Sequence, residues 1–274
     1  MTDYKNWTTA VSTGNPSYEN LERIAKAGVK AIEVSVDWRV FQDLDWKSIT
    51  DTAKKVGIDV WSFHLPFACE FNIASPDEEL RQYSVGVLGR EIEKIAPFGV
   101  KIFVVHPSTG PIEDEQRHLY MAASKRSLAE LSQIARKAGA TLCVENLPRH
   151  GLGHDVKEMV ELASADENLR VCFDVNHLLT VYGGTHLEFV KQLGDKIVTT
   201  HMSDYDFVDE RHFFPGNGKI NWEELITAME VADYNGPFLF EGGFSPSGWD
   251  PTVPHGTIEE AHERATTIKN YKGK

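Results

Sequence analysis

One short pattern returns four times in the first 146 residues of this 274-residue chain, and it restricts the fold more than any other feature. A helical run ends, a glycine follows, and an apolar strand-like run begins almost at once. The four copies are AKAGVKAIEV at Gly28, KKVGIDVWSFH at Gly57, APFGVKIFVVH at Gly99 and RKAGATLCVEN at Gly139. Glycine just past a helix end takes up a left-handed backbone that strains other residues, so each copy reads as a helix turning directly into a strand. Looser versions follow at Asn168 (ENLRVCFD), Gly194 (LGDKIVTTH) and Gly236 (YNGPFLFEG), and the opening run TTAVS adds one more strand. The sum is eight strands alternating with helices.

Strands such as KIFVVH and IVTTH are apolar almost throughout, as expected when both faces are buried. The helices between them carry apolar stripes. Leu128, Leu131, Ile134 and Ala138 recur at helical spacing, as do Trp222, Leu225, Ile226 and Met229. Ser75-Pro76-Asp77-Glu78 reads as a helix start with Ser75 as the cap, Pro76 in the first turn and Glu78 completing a capping box; Thr257 and Glu260 repeat the signal. An eight-fold parallel barrel of about 250 residues accommodates this alternation, so the expectation is α/β class, with residues 1–274 forming a single (β/α)8 TIM-barrel domain. An open doubly wound sheet is the structural rival, weakened because no GxGxxG follows the first strand.

The polar residues fall where such a barrel would gather them. Six apolar runs stop on a group able to bind a metal or move a proton: WSFHLP at His64, IFVVHP at His106, LCVEN at Glu145, VCFDVNH at Asp174, IVTTHMSD at His201 and FLFEGG at Glu241. The carboxyl ends of barrel strands meet on one face, which brings residues scattered over the sequence together. One Glu or Asp at a strand end is usually a helix cap, and one His is usually structural. Glu145, Asp174, His201 and Glu241, however, end four successive strands. Buried acids and imidazoles that close need a compensating cation. Their mostly oxygen donor set suits Mn²⁺, Mg²⁺, Co²⁺ or Zn²⁺.

Composition narrows the partners. The net charge of −13 supplies no basic footprint for a nucleic-acid backbone. Cys69, Cys143 and Cys172 form no secreted disulfide pattern, and the latter two sit inside apolar strand runs as small core residues. The start MTDYKNWTTA lacks a charged stretch followed by an apolar one, and no run approaches the roughly 20 residues of a membrane span. A cytoplasmic protein with no membrane partner is expected, with nucleic acid disfavoured by charge, its oligomeric state open and a homo-oligomer among the options.

The ordered pieces VEN at 144–146, FDVNH at 173–177, HMSD at 201–204, GNG at 216–218 and FEGG at 240–243 resemble the xylose-isomerase-like barrel superfamily. The resemblance is strongest to its sugar isomerase and epimerase branch, which includes inosose isomerases, ketose 3-epimerases and hydroxypyruvate isomerases. It implies one divalent metal on Glu145, Asp174, His201 and Glu241. It also implies that Glu145 and Glu241 face each other across a small sugar, phosphorylated or not, as an acid/base pair. Proton transfer beside a carbonyl is slow because the carbanion is unstable; a cation against the carbonyl and hydroxyl oxygens stabilises the enediolate while a carboxylate takes the proton. His64, His106, His177 and His212 would be substrate ligands. Arg211 would take a hydroxyl or phosphate, and Glu33 would hydrogen-bond substrate or a neighbouring side chain. Trp7, Trp38 and Phe67 are candidates for an apolar wall or for core packing. The loops Gly216–Gly218 and Gly242–Trp249 are candidates to close over the substrate.

The rival reading on the same barrel is a phosphodiesterase. Zinc-dependent apurinic endonucleases hold three metals on a pattern traceable here through His64, His106, Glu145, Asp174, His177, His201, His212 and Glu241, with Glu210 where those enzymes have Asp. Dehydratases and lyases of the superfamily share the metal-enolate chemistry. A barrel without catalysis is disfavoured because both glutamates are present.

Overall fold

The computed structural model describes residues 7–179, 185–245 and 251–270. Strands and helices alternate: β1 (Thr9–Thr13), α1 (Tyr18–Lys26), β2 (Ala31–Val34), α2 (Trp46–Val56), β3 (Asp59–His64), α3 (Glu78–Ile95), β4 (Ile102–Val105) and α4 (Arg117–Lys137) make the first half. The second half is β5 (Thr141–Glu145), α5 (Val156–Ala163), β6 (Arg170–Asp174), α6 (His186–Leu193), β7 (Ile197–His201), α7 (Trp222–Val231), β8 (Phe238–Phe240) and α8 (Ile258–Lys269). All strand pairs are parallel, in the order β7-β6-β5-β4-β3-β2-β1-β8. The seam between β7 and β8 is joined just past the end of β7, where the Met202 amide donates to Leu239 O at 2.7 Å and the Glu241 amide donates back to Met202 O at 3.3 Å. The barrel is nearly closed, and the expected TIM architecture is what forms.

The glycine pattern does what its chemistry predicts. Gly28, Gly57, Gly99 and Gly139 have φ of 85°, 80°, 99° and 71°, each turning a helix end into the next strand. Gly194 works differently: its backbone is right-handed, and a Cβ there would sit 2.6 Å from the Cβ of Ala232, so lack of bulk is what the site requires.

Alternation along each strand separates two cores. One set of strand residues, including Val11, Ile32, Phe63, Phe103, Val144, Phe173 and Phe238, packs against the helices in one large cluster. The alternate residues form small separate clusters, Ala10-Ala31-Leu239 with Trp61, and Val104-Cys143-Cys172. The apolar stripe of α7 is buried as expected. On α4, Leu128 and Leu131 are buried, and Ile134 and Ala138 pack at the margin.

The start of α3 departs from expectation. Asp77, not Ser75, is the cap: its Oδ1 accepts from the amides of Glu79 at 2.9 Å and Leu80 at 3.4 Å. The Ser75 hydroxyl instead accepts from the Asp77 amide at 3.1 Å, a turn that precedes the helix and orients its cap. Thr257 and Glu260 do form a capping box on α8. Among the described residues, no helix is long and apolar enough to cross a membrane.

Candidate active site

The six strand-end residues arrive at one mouth. His64, Glu145, Asp174 and His201 are the last residues of β3, β5, β6 and β7, while His106 and Glu241 directly follow β4 and β8. Glu145 is the hub. Its Oε2 lies 3.1 Å from His64 Nε2 and 3.4 Å from His106 Nε2, and its Oε1 lies 3.2 Å from His201 Nδ1 and 3.4 Å from His177 Nδ1. Burial works to raise its pKa, but the imidazoles of His201 and His106 overcome that and hold the carboxyl well below the usual range.

Asp174 stands in the opposite condition. Burial pushes its carboxyl up to about 8, against the pull of His177 and with help from the neighbouring carboxylates Glu241 and Glu145. Its Oδ1 accepts from the Asn176 amide at 2.7 Å, whereas its buried Oδ2 has no hydrogen-bond partner. That oxygen lies 3.7 Å from His201 Nδ1, which is itself 3.4 Å from Glu241 Oε1. Ligand atoms of Glu145, Asp174, His201 and Glu241 all fall within 4.8 Å of one another. A buried acceptor without a donor, beside two more carboxylates and an imidazole, fits a divalent cation by its chemistry.

Three further groups flank this one among the described residues, and one of them brings Cys172 beside Glu145 and His201. His64 and His106 share Glu145, while His177, Glu210 and His212 form a set of their own. His212 Nε2 lies 2.7 Å from Glu210 Oε1, and His177 Nε2 lies 3.8 Å from the same oxygen. Burial lowers both imidazoles, but Asp174 and Glu210 carry His177 up to about 10, and Glu210 carries His212 up to about 9. The mouth opens on a cavity of about 570 Å³ lined by Phe67, His106, Glu145, Arg149, His177, Glu210, His212 and Glu241, among others.

Several sequence motifs prove to be scaffolding. Asn146 of VEN ties β5 to β6, its amide nitrogen donating to Asp174 O and its Oδ1 accepting from the Asp174 amide, both at 2.9 Å. Asp204 of HMSD accepts from the amides of Tyr205, Gly216 and Ile220 and from the Trp222 indole, at 2.8–3.1 Å. Those bonds fix the segment that delivers Glu210 and His212. They also explain GNG: a Cβ on Gly218 would lie 2.2 Å from Asp204 Oδ1. The Gly216–Gly218 turn, expected as a closing loop, is therefore an anchored one. Residues 246–250, including Trp249 of the other expected closing loop, lie outside the described residues.

Other expectations need correction. Arg211 does not line the cavity: its guanidinium donates to Asp206 at 2.9 Å and its amide to Asn176 Oδ1 at 3.2 Å. Arg149 lines it instead, with φ of 56° and contacts of 2.9 Å to Asp209 and 2.8 Å to Glu210. Nothing in the local sequence distinguishes Arg149 from any other loop arginine. For Glu33, of the two partners expected, it is neighbouring side chains that it meets: it is fully buried and bonded to Ser12, Ser62 and His201. It is the penultimate residue of β2. Of the three aromatic candidates, Phe67 lines the cavity and stacks on His106 with centroids 4.1 Å apart. Trp7 is core, donating to Tyr234 O at 2.8 Å, and Trp38 packs edge-on to Phe71.

Comparison with known proteins places this geometry. Residues 21–264 match the family model described as the xylose isomerase-like TIM barrel. Among curated proteins, an uncharacterized protein of Methanocaldococcus jannaschii is 28% identical over 65% of this chain and 62% of its own length. A probable endonuclease 4 of Finegoldia magna is 25% identical over 59% of this chain and 62% of its own. A D-psicose 3-epimerase of Ruminiclostridium cellulolyticum is 24% identical over 81% and 78%. The alignments thus span about three-fifths of the length of the first of these relatives. A solved D-tagatose 3-epimerase-like protein has the same fold, with a TM-score of 0.78 at 22% identity over 96% of both chains.

Proposed function

The chain belongs to the xylose isomerase-like TIM barrel family, and from that premise we propose that it is a divalent-metal-dependent isomerase or epimerase of a ketose, inosose or related small sugar. The observation that carries this reading is the convergence of Glu145, Asp174, His201 and Glu241, with the Oδ2 of Asp174 left without a donor. These four residues would hold the cation. When bound, it would supply Lewis-acid stabilisation of the charge that develops on a carbonyl oxygen as the neighbouring C–H bond breaks.

The chain's own groups would move the proton. Glu145 and Glu241 both line the cavity. Both are held below the usual carboxylate range against burial, chiefly by His201, so each is ionised and fit to accept a proton. In an epimerisation, one carboxylate removes the proton from the carbon beside the carbonyl and the other returns one to the opposite face. In an isomerisation, a single carboxylate carries it to the adjacent carbon. His106, His177 and His212 stand on the same wall and would orient hydroxyl groups, while the Phe67 ring gives one apolar side.

Charge supports a small sugar over a polynucleotide. Among the described lining residues, Arg149 is the one with a permanent positive charge, and it is paired with Asp209 and Glu210 on a protein of net charge −13. The names of the two 3-epimerase relatives point the same way. The test is incubation with a panel of ketoses, inososes and their phosphates in D₂O with Mn²⁺. Deuterium is expected at one carbon adjacent to the carbonyl; turnover without exchange, unaltered in Glu145→Gln and Glu241→Gln, would refute the mechanism.

One observation favours a second reading. Three of the side-chain groups, His64-His106-Glu145, His177-Glu210-His212 and Glu145-Asp174-His201-Glu241, can be drawn as three cation sites, and a probable endonuclease 4 is among the relatives. A phosphodiesterase built on them would bind three ions per chain and cleave abasic DNA, whereas the sugar reading requires one.

A further inference from the structure

Glu33 lies deep in the barrel, on β2, with no exposed surface. Three side chains from three other strands meet its carboxylate. The Ser12 hydroxyl of β1 donates to Oε1 at 3.2 Å, the Ser62 hydroxyl of β3 donates to Oε2 at 2.8 Å, and His201 Nε2 of β7 lies 3.0 Å from Oε1. A carboxylate only accepts hydrogen bonds. The hydrogen between Glu33 and His201 therefore belongs to the imidazole, on Nε2.

That assignment has a consequence on the other side of the ring. Without a cation, Nδ1 carries a hydrogen too, toward Glu145 Oε1 at 3.2 Å; a cation that displaces it leaves a neutral ring, with its one hydrogen on Nε2 toward Glu33 and outward from Nδ1 a lone pair. It points among Glu145 Oε1 at 3.2 Å, Glu241 Oε1 at 3.4 Å and Asp174 Oδ2 at 3.7 Å. Four electron-rich atoms then face one another, an arrangement that suits a cation. We propose that Glu33 is a positioning residue: held by Ser12 and Ser62, it fixes the His201 tautomer and ring plane so that Nδ1 is reserved for the cation. The inference rests on the metal reading of the site above and gives Glu33 a role in it. A carboxylate behind a metal-binding imidazole both orients it and raises its basicity, and losing such a partner typically costs about 10–100-fold in metal affinity.

The experiment uses Zn²⁺ with the full-length protein, measuring its dissociation constant by chelator competition and the ¹⁵N shifts of the histidine rings in the Zn²⁺-loaded form. The His201 resonances are identified by their loss in His201→Asn. Glu33→Gln keeps the volume and removes the obligate acceptor. It is expected to weaken Zn²⁺ binding by about 10–100-fold and to shift the His201 Nε2 resonance away from its wild-type hydrogen-bonded position. Ser62→Ala, which removes one support of Glu33, is expected to give a smaller change in the same direction and serves if Glu33→Gln does not fold. Wild-type Zn²⁺ affinity with an unmoved His201 signal in either folded variant would overturn the role of Glu33. Failure of the wild type to bind Zn²⁺, or wild-type affinity in His201→Asn, would instead overturn the metal reading itself, and the role of Glu33 with it.

Discussion

The two ends of the barrel interior are built by the same strands and are physically opposite. Toward the amino ends stand Ala10, Ala31 and Cys143, buried, small and apolar, while Cys172, in register with Glu145, has its Sγ within 4.8 Å of ligand atoms of Glu145 and His201. One pleat further along the same strands stand Ser12, Glu33, Glu145 and Asp174, joined by His64 and His201 from β3 and β7. Because side chains alternate across a sheet, each strand presents to the interior first a packing residue and then a chemical one. The lower end holds the barrel together. The upper end gathers carboxylates whose proximity opposes folding until a cation or protons compensate them. Stability and chemistry are thus separated by a single step of the pleat.

The largest effect expected from this contrast is at the upper end. Glu241→Gln and Glu145→Gln should each lower turnover by about 10²–10⁴-fold, the usual worth of a positioned acid or base. Because both carboxyls are held below their ordinary range, Glu145 furthest, each change should also lower the melting temperature of chelator-treated protein, more in Glu145→Gln than in Glu241→Gln. A melting temperature raised in both would break the comparison. Next is Leu239→Ala at the lower end, where truncating a fully buried leucine should cost about 2–5 kcal/mol by chemical denaturation. Metal affinity of the folded variant should be retained; a parallel collapse of affinity would show that the two ends are not separable.

A third expectation concerns pH. Asp174 is raised from 3.8 to about 8, His212 from 6.5 to about 9 and His177 from 6.5 to about 10. In each case the folded protein keeps its proton over a range in which the unfolded chain has released it, so stability falls as pH rises. For Asp174 the loss runs between about pH 4 and 8, and for the two histidines between about 6.5 and 10. The melting temperature of chelated protein should therefore fall from pH 6 to pH 9.5. A bound divalent cation, favouring the deprotonated carboxylates, should flatten the alkaline decline. A melting temperature that rises with pH in chelator would contradict the assignment. The smallest effect is at the cavity rim. Phe67 is 48% exposed, so Phe67→Ala should change stability by about 0.5 kcal/mol or less while raising KM for the substrate.

The fold and the clustering of the strand-end residues were legible because both are written locally. A glycine past a helix end and an apolar run halted by His, Glu or Asp each announce themselves within a few residues, and all six strand-end residues do meet at one mouth. What was not legible depends on partners distant in sequence. For Glu33 the sequence leaves substrate and a neighbouring side chain both open, until the structure shows its contact with His201, 168 residues away. Arg149 reaches the cavity through Glu210, 61 residues away, while Arg211, adjacent to that glutamate in sequence, is drawn off by Asp206. The cap of α3 was missed for a smaller reason: Ser75 and Asp77 are both cap-forming residues, and their spacing alone does not say which one the first turn uses.

The most direct test of the central claim is anomalous diffraction from crystals soaked in Mn²⁺. The account predicts one strong peak per chain, within coordination distance of Glu145, Asp174, His201 Nδ1 and Glu241, at about 2.0–2.3 Å from each ligand atom. No peak among those four residues at saturating Mn²⁺ would contradict it.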